Sequence, residues 1–245
     1  MSYRQELETA KKAALAAGQI LLEQKNNLNK SIFSSNTDIK LEADIVAEKL
    51  IKEILSDETS FPILAEESGQ SSDQLSDIFW VVDPLDGTAN YSRNIPICCV
   101  SIALIKNMEP VLGVIYDFSN NDLYEGSVNT SAMQNGLEIK VSDISNQGEG
   151  ILITGLPNKT DYSDEALLKM VKDFQGWRKV RMIGSAAIGS VYIASGKADV
   201  YKESRTYFWD VAAGAAIVQA AGGTALIANQ NEDFQVDVYF SNSRI

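Results

Sequence analysis

The 245-residue chain contains no histidine. A Ser-His-Asp triad, a Cys-His pair, a phosphohistidine intermediate and a histidine-rich zinc site are therefore excluded. Cysteine is almost as scarce, limited to the adjacent Cys98 and Cys99. Neighbours in sequence rarely reach disulfide geometry. The pair sits in the apolar run IPICCVSIALI, so both are expected as buried, reduced thiols. Neither opens a C-x5-R phosphatase loop, because the sixth residues onward are Leu104 and Ile105. No stretch approaches the roughly 20 apolar residues that a membrane helix needs. The N-terminal region carries charges throughout and has no apolar signal-peptide core. A cytoplasmic protein is the expectation. Positive charge is also short: 21 Lys and Arg against 33 Asp and Glu give a formal net charge of -12. Such a chain should repel nucleic acid and anionic membranes. It should repel a phosphate substrate too, unless cations bind first.

What remains for catalysis is carboxylates, hydroxyls, lysines or a hard metal. Apolar residues at helical spacing predict helices over 3–25 and 41–56, with a polar loop over 26–37 between them. Short strands follow in FPILAEE, IFWVVD and CCVSIALIK. EPVLGVIYDF and NDLYEGSV read as an antiparallel pair joined by Ser119-Asn120-Asn121. After the polar stretch VSDISNQGEG come a strand ILITGL, a helix at 163–175 and the segment RKVRMIG. A small-residue helix over 185–195, the strand ADVYKE, a helix over 210–221 and the strand VDVYFSNS complete the chain. Gly222-Gly223 is a helix stop signal. The pattern is α+β, or mixed α/β. It divides into residues 1–147 and residues 148–245, two unequal halves of one compact unit.

The stretch FWVVDPLDGTANYSRN is the most unusual. It reads as a strand that stops in a tight turn, with Asp83 and Asp86 flanking Pro84-Leu85. Hard cations such as Mg2+ prefer oxygen ligands, which the two acids and the Leu85 carbonyl could supply. Gly87 and Thr88 then offer N–H groups of the kind that bind phosphate at a helix start. A plain β-turn with a capping Asp is the competing reading. The spacing differs from the DxDGT of haloacid-dehalogenase-type phosphatases, since two residues separate the acids here. Three other acidic sites are ambiguous when taken singly. Glu66 and Glu67 end an apolar strand. Asp210 opens an apolar helix as a simple N-cap would. Asp44, with Glu48 and Lys52, reads as a solvated helix face.

Together, ILAEES, WVVDPLDGT and WDVAAG followed by Gly222-Gly223 resemble the inositol monophosphatase family of lithium-sensitive phosphatases. LEADIVAEKLI, GSAAI and ADVYKE extend the resemblance over nearly the whole chain. It implies a layered αβαβα sandwich like the sugar phosphatase fold, and two or three Mg2+ ions. It implies that Glu66, Asp83 and the Leu85 carbonyl hold one ion, and that Asp83, Asp86 and Asp210 hold a second. Asp44 and Thr88 would orient and deprotonate the attacking water. The Gly87 and Thr88 amides would bind the phosphate. Ser185, Ala186 and Glu203 would contact a hydroxylated ring, and Glu67 would support the ligands from behind. A homodimer and a small phosphorylated substrate are the implied partners. TANYSRNIP and Glu203 favour a polyol phosphate. A 3'-phosphoadenosine 5'-phosphate nucleotidase using Lys202 and Arg205, a fructose 1,6-bisphosphatase, and a non-catalytic binding protein are the alternatives.

Overall fold

A computed structural model describes residues 3–34, 39–72, 75–156 and 161–245. Helix α1 (Arg4–Glu23) is followed by a single turn, α2 (Lys25–Leu28), and by strands β1 (Ser31–Ser34) and β2 (Ile39–Leu41). The polar loop expected over 26–37 is thus replaced by a helical turn and the first arm of a hairpin; residues 35–38 lie outside the described residues. Helix α3 (Glu42–Glu58) packs along α1. Strands β3 (Ile63–Ala65), β4 (Gly69–Gln70) and β5 (Ile78–Asp86) follow, then the short helix α4 (Thr88–Ser92). Next come β6 (Cys99–Lys106), β7 (Glu109–Asp117), β8 (Asp122–Ser127), β9 (Met133–Gln134) and β10 (Leu137–Glu138). These form an eight-stranded sheet in the order β10-β9-β8-β7-β6-β5-β3-β4.

The remainder is β11 (Ile151–Thr154), α5 (Asp164–Phe174), β12 (Lys179–Met182), α6 (Ala186–Ala194), β13 (Val200–Tyr207), α7 (Phe208–Ala220), β14 (Thr224–Ala228) and β15 (Gln235–Ser241). Its five-stranded sheet runs β12-β11-β13-β15-β14, with β11 parallel to both neighbours and β15 antiparallel to both of its own. Strand β14 has no counterpart in the sequence reading, because TALIA is too short to declare a period.

The central strands explain the layering. Side chains alternate between sheet faces, yet β5 and β6 are apolar at nearly every position. Such a strand must be buried on both sides. Trp80, Val82, Cys98, Val100 and Ile102 join the core beneath α1 and α3. Phe79, Val81, Cys99, Ala103 and Ile105 join the core shared with α6 and α7. The adjacent cysteines therefore point to opposite faces, and both are free and buried, as expected. Each fully buried large apolar side chain contributes ~1.5–3 kcal/mol, so these strands anchor both cores.

Helix α7 lies between the sheets, against β5 to β8 on one side and β13 to β15 on the other. Its small-residue sequence permits this. A Cβ at Gly113 of β7 would stand 2.1 Å from the Ala213 carbonyl oxygen of α7, so only glycine lets the backbones approach. The result is the α+β sandwich in αβαβα order: α1 and α3, the eight-stranded sheet, α6 and α7, the five-stranded sheet, then α5.

Candidate active site

Strand β5 does not stop at Asp83. It runs on to Asp86, with Asp83 opposite Ser101, Asp86 opposite Cys99, and a register shift between them. The expected strand end is instead a bulge at Pro84-Leu85, where a missing N–H is tolerated. The bulge has a chemical consequence. Residues three apart on a regular strand face opposite sides, and one extra residue returns the second to the same side. Both acids are buried, Asp83 at 1% and Asp86 at 8% exposure.

Asp83 Oδ1 accepts the Leu85 N–H at 3.0 Å. Asp210 sits in the first turn of α7, and its Oδ2 accepts from Thr206 Oγ1 at 2.9 Å and from the Tyr207 N–H at 3.1 Å. Asp44 reaches back in the same way from the first turn of α3, Oδ2 accepting the Leu41 N–H at 2.6 Å. Its other oxygen, Oδ1, accepts from Thr88 Oγ1 at 3.1 Å. The Thr88 hydroxyl also lies 3.0 Å from the Leu85 carbonyl, so its single proton is shared between two acceptors. Asp44 and Glu48 are 1% and 5% exposed, which corrects the solvated-face reading of that helix side.

Glu66 stands in the turn after β3. The turn is held from behind: Glu48 Oε2 accepts the Glu67 N–H at 2.8 Å, and Lys40 forms an ion pair with the Glu67 carboxylate. Glu67 therefore supports the turn rather than facing the other acids.

The four acids Glu66, Asp83, Asp86 and Asp210 affect one another. Burial pushes Asp83 well above the usual carboxylate range, and the charges of Glu66, Asp86 and Asp210 add to it. Burial, then Asp210, raises Glu66, which shares a hydrogen bond with Asp83. Glu66 keeps an exposed surface, so solvent relieves part of the first cause and its acidic neighbours are the firmer one. Burial raises Asp86, partly offset by Ser185 and by backbone N–H groups. Asp210 is pushed up to about 8 by burial and by Asp86. Burial lifts Asp44 to about 6 and Glu203 to about 7.

Gly87 and Thr88 open α4. Gly87 has φ +89°, and a Cβ there would stand 2.7 Å from the Ile97 carbonyl oxygen. Its position leaves the N–H groups of the first helical turn without helical acceptors. A cavity of about 200 Å³ on the other side of Asp86 is lined by Thr154, Ser185, Tyr201, Glu203 and Asp210 among others. A hollow of about 790 Å³ lies between α5 and the outer face of the five-stranded sheet. It shares Glu203 and Thr154 to Leu156 with the smaller cavity but contains none of the four linked acids. Chemistry, not volume, selects the smaller cavity as the site.

Ser185 and Ala186 are brought to the site, but their hydrogen-bonding groups are turned to Asp86. Sequence reasoning missed three positioning groups. Thr206 holds Asp210. Tyr201 donates to Glu203 Oε2 at 3.1 Å. Asn90 joins the two halves, with Nδ2 donating at 2.8 Å to the carbonyls of Ile97 and Ile183. The alternation of ADVYKE, which pairs Tyr201 with Glu203 on one strand face, was a usable signal; nothing local marks Asn90. Lys202, a candidate for a second phosphate, pairs with Asp173 beside the larger hollow.

Among the described residues no three acids or thiols are already closed into a metal-ligand set. The donor chemistry nonetheless fits a hard divalent cation. The groups are all oxygens, and they raise one another's proton affinity as uncompensated carboxylates do. Lys40, Lys52 and Lys202 pair with acids outside this group, Glu67, Glu48 and Asp173.

A layered α+β sandwich with carboxylates gathered where its strands and helices end is the class this geometry defines. The family model described as the inositol monophosphatase family matches residues 2–244. A Xylella fastidiosa protein named Nus factor SuhB is 39% identical over 216 residues, covering 86% of this chain and 78% of that protein. An Aquifex aeolicus protein named fructose-1,6-bisphosphatase/inositol-1-monophosphatase is 34% identical over 234 residues, covering 91% and 86%. The solved structure of inositol monophosphatase from Anabaena superposes with a TM-score of 0.86 at 31% identity, over 100% of this chain and 93% of that one. The chain belongs to the inositol monophosphatase family.

Proposed function

We propose that the protein is a Mg2+-dependent phosphomonoesterase acting on a small polyol phosphate such as an inositol monophosphate. The observation that supports this most is the group of four mutually repelling acids beside the opening amides of α4. Glu66, Asp83, the Leu85 carbonyl, Asp86 and Asp210 would hold two or three ions. Bound divalent cations supply charge neutralisation for the phosphate and bring the pKa of water towards neutrality. The Gly87 and Thr88 N–H groups bind the phosphate oxygens. Thr88 Oγ1 accepts a proton from the attacking water and passes its own to Asp44, whose pKa of about 6 suits that exchange. Glu203 accepts a hydrogen bond from a substrate hydroxyl, through the oxygen that Tyr201 does not occupy.

The test is phosphate release from inositol 1-phosphate, fructose 1,6-bisphosphate and 3'-phosphoadenosine 5'-phosphate, each with Mg2+, with chelator and with Li+. Release from the first, dependent on Mg2+ and inhibited by Li+, is expected. Equal release with chelator sinks the proposal. Release from the third alone moves the assignment to a nucleotidase.

A second reading draws on the relatives named Nus factor SuhB: a binding role beside or in place of catalysis. Folded protein that binds Mg2+ but releases phosphate from none of the three would favour it. Family membership is the ground for proposing a homodimer, checked by light scattering.

A further inference from the structure

Asp86 differs from the other acids in where its anchors come from. Asp83 and Asp210 take their fixed bonds from residues two to four positions away, and Asp44 takes one from Leu41 and one from Thr88, both in its own half of the chain. Asp86 takes its bonds from distant parts of the chain. Ser185 Oγ donates to Asp86 Oδ2, and the Ala187 N–H donates to the same oxygen at 2.8 Å. Cys99, its cross-strand partner, places Sγ 3.7 Å from that oxygen. Among the described residues, Oδ1 receives only the Ala186 N–H, at 3.3 Å. Three donors thus converge on Oδ2 and one longer contact reaches Oδ1.

The Ser185 hydroxyl is fixed in its donor role. Its oxygen accepts the Ile188 N–H at 3.1 Å as the cap of α6, which leaves its own proton for Asp86. Cys99 is fully buried and its partner strand sets its height, so its thiol has little freedom to turn elsewhere. Cys98, one residue earlier, faces the opposite core and lies 3.9 Å from Ser119 Oγ.

We propose that Ser185 and Cys99 are positioning residues that hold Asp86 by Oδ2 and present Oδ1 as a single-oxygen metal ligand. The α6 N-terminus then couples the second half of the chain to a ligand carried by the first. This rests on the reading of Asp86 as a metal ligand given above. It also removes Ser185 Oγ from the set of groups that contact substrate.

The experiment is calorimetric titration of Mg2+ alone into the full chain stripped by chelator, with thermal melts of the stripped proteins recorded alongside. Partners behind a ligand typically govern metal affinity by about 10- to 100-fold. Ser185→Ala should therefore weaken Mg2+ binding about 10-fold, and Ser185→Thr should restore it. Cys99→Ala should weaken it about 3-fold, as fits loss of one weak neutral donor. Cys99→Ser, a stronger donor, should restore it. Cys98→Ser should leave it at the wild-type value. Ser185→Ala also removes a helix cap, so the Cys99 series, which leaves the cap intact, must move in the same direction. Wild-type binding with unchanged affinity in both alanine variants overturns the proposal while leaving Asp86 as a ligand. Absence of Mg2+ binding by folded wild-type protein overturns the proposed function, and this proposal with it.

Discussion

Strands β5 and β6 are buried at almost every residue, whereas β14 alternates between half-buried and exposed positions. The eight-stranded sheet has two helices on each face. The five-stranded sheet has α6 and α7 on its inner face, and on the outer face α5, which buries none of its residues. Between α5 and that face lies the larger hollow, walled by Leu167, Met170 and Phe174 on one side and by Leu226 and Tyr239 on the other. The site is divided along the same line. Asp83, Asp86 and Glu66 are carried at the end of the enclosed sheet. Glu203 is carried by the looser one. Charged groups that repel one another need a stiff support to stay together, and the enclosed sheet supplies it. The role proposed for Glu203, accepting a hydrogen bond from a substrate hydroxyl, tolerates more movement, and Glu203 sits on the less enclosed sheet.

The largest expected effect comes from breaking the enclosed side of the site. Asp83→Asn should lower turnover on the order of 1000-fold, since loss of a ligand forfeits several kcal/mol of charge stabilisation. The stripped variant should melt no lower than the stripped wild type, because one source of like-charge repulsion is gone. Normal turnover in Asp83→Asn would refute the ligand assignment.

The next contrast is in stability. Trp80 is fully buried beneath α1 and α3, and Leu226 is 57% exposed on the outer sheet face. Trp80→Ala should cost about 3–5 kcal/mol in a denaturant titration. Leu226→Ala should stay within about 0.5 kcal/mol. Similar costs for the two would mean that the outer face is covered in solution.

These contrasts track what the sequence made legible. IFWVVD and CCVSIALI declared their burial because an apolar residue at every position has no polar face to give to water. The acids were legible as a set because WVVDPLDGT and WDVAAG lie at strand and helix ends, where side chains can converge. Their orientation was not legible. A turn and a bulge both fit Asp-Pro-Leu-Asp, and only the pairing with Ser101 and Cys99 decides for the bulge. Asp44 was misread in isolation because the α3 face it shares with Glu48 is polar in sequence and buried in space. The bond from Ser185 to Asp86 was not legible either, because nothing local links it to an acid nearly a hundred residues earlier.

Proton uptake sharpens the comparison further. Asp44, Glu203 and Asp210 have ordinary values of 3.8, 4.5 and 3.8, raised in the folded protein to about 6, 7 and 8. Between each pair of values the folded state holds a proton that the unfolded state has released. Stability of the metal-free protein should therefore fall as pH rises from about 4 to about 8, with its full value retained below that window. Saturating Mg2+ should flatten the fall, since ions bind the deprotonated folded state. Glu203→Gln should flatten only the part between about 4.5 and 7. Melting temperatures against pH, with chelator and with Mg2+, check all three. A metal-free protein that becomes more stable over this window would contradict the shifts.

The smallest effect is expected at the loose edge. Lys202 pairs with Asp173 of α5, and both side chains keep about a third or more of their surface in water, 32% and 40%. Such pairs are worth ~0–1 kcal/mol, so Lys202→Ala should shift the unfolding midpoint by no more than that. Its kinetic effect separates the substrate readings. A polyol monophosphate ends at Glu203, and its KM should change by less than about 3-fold. A bisphosphate that placed its second phosphate on Lys202 would lose a charge-assisted hydrogen bond of ~1.5–3 kcal/mol, or at least about 10-fold in KM. A large change for 3'-phosphoadenosine 5'-phosphate with none for inositol 1-phosphate would show that the outer hollow receives part of the substrate. Small changes for both would leave the outer region with a structural role and the enclosed side with the chemistry.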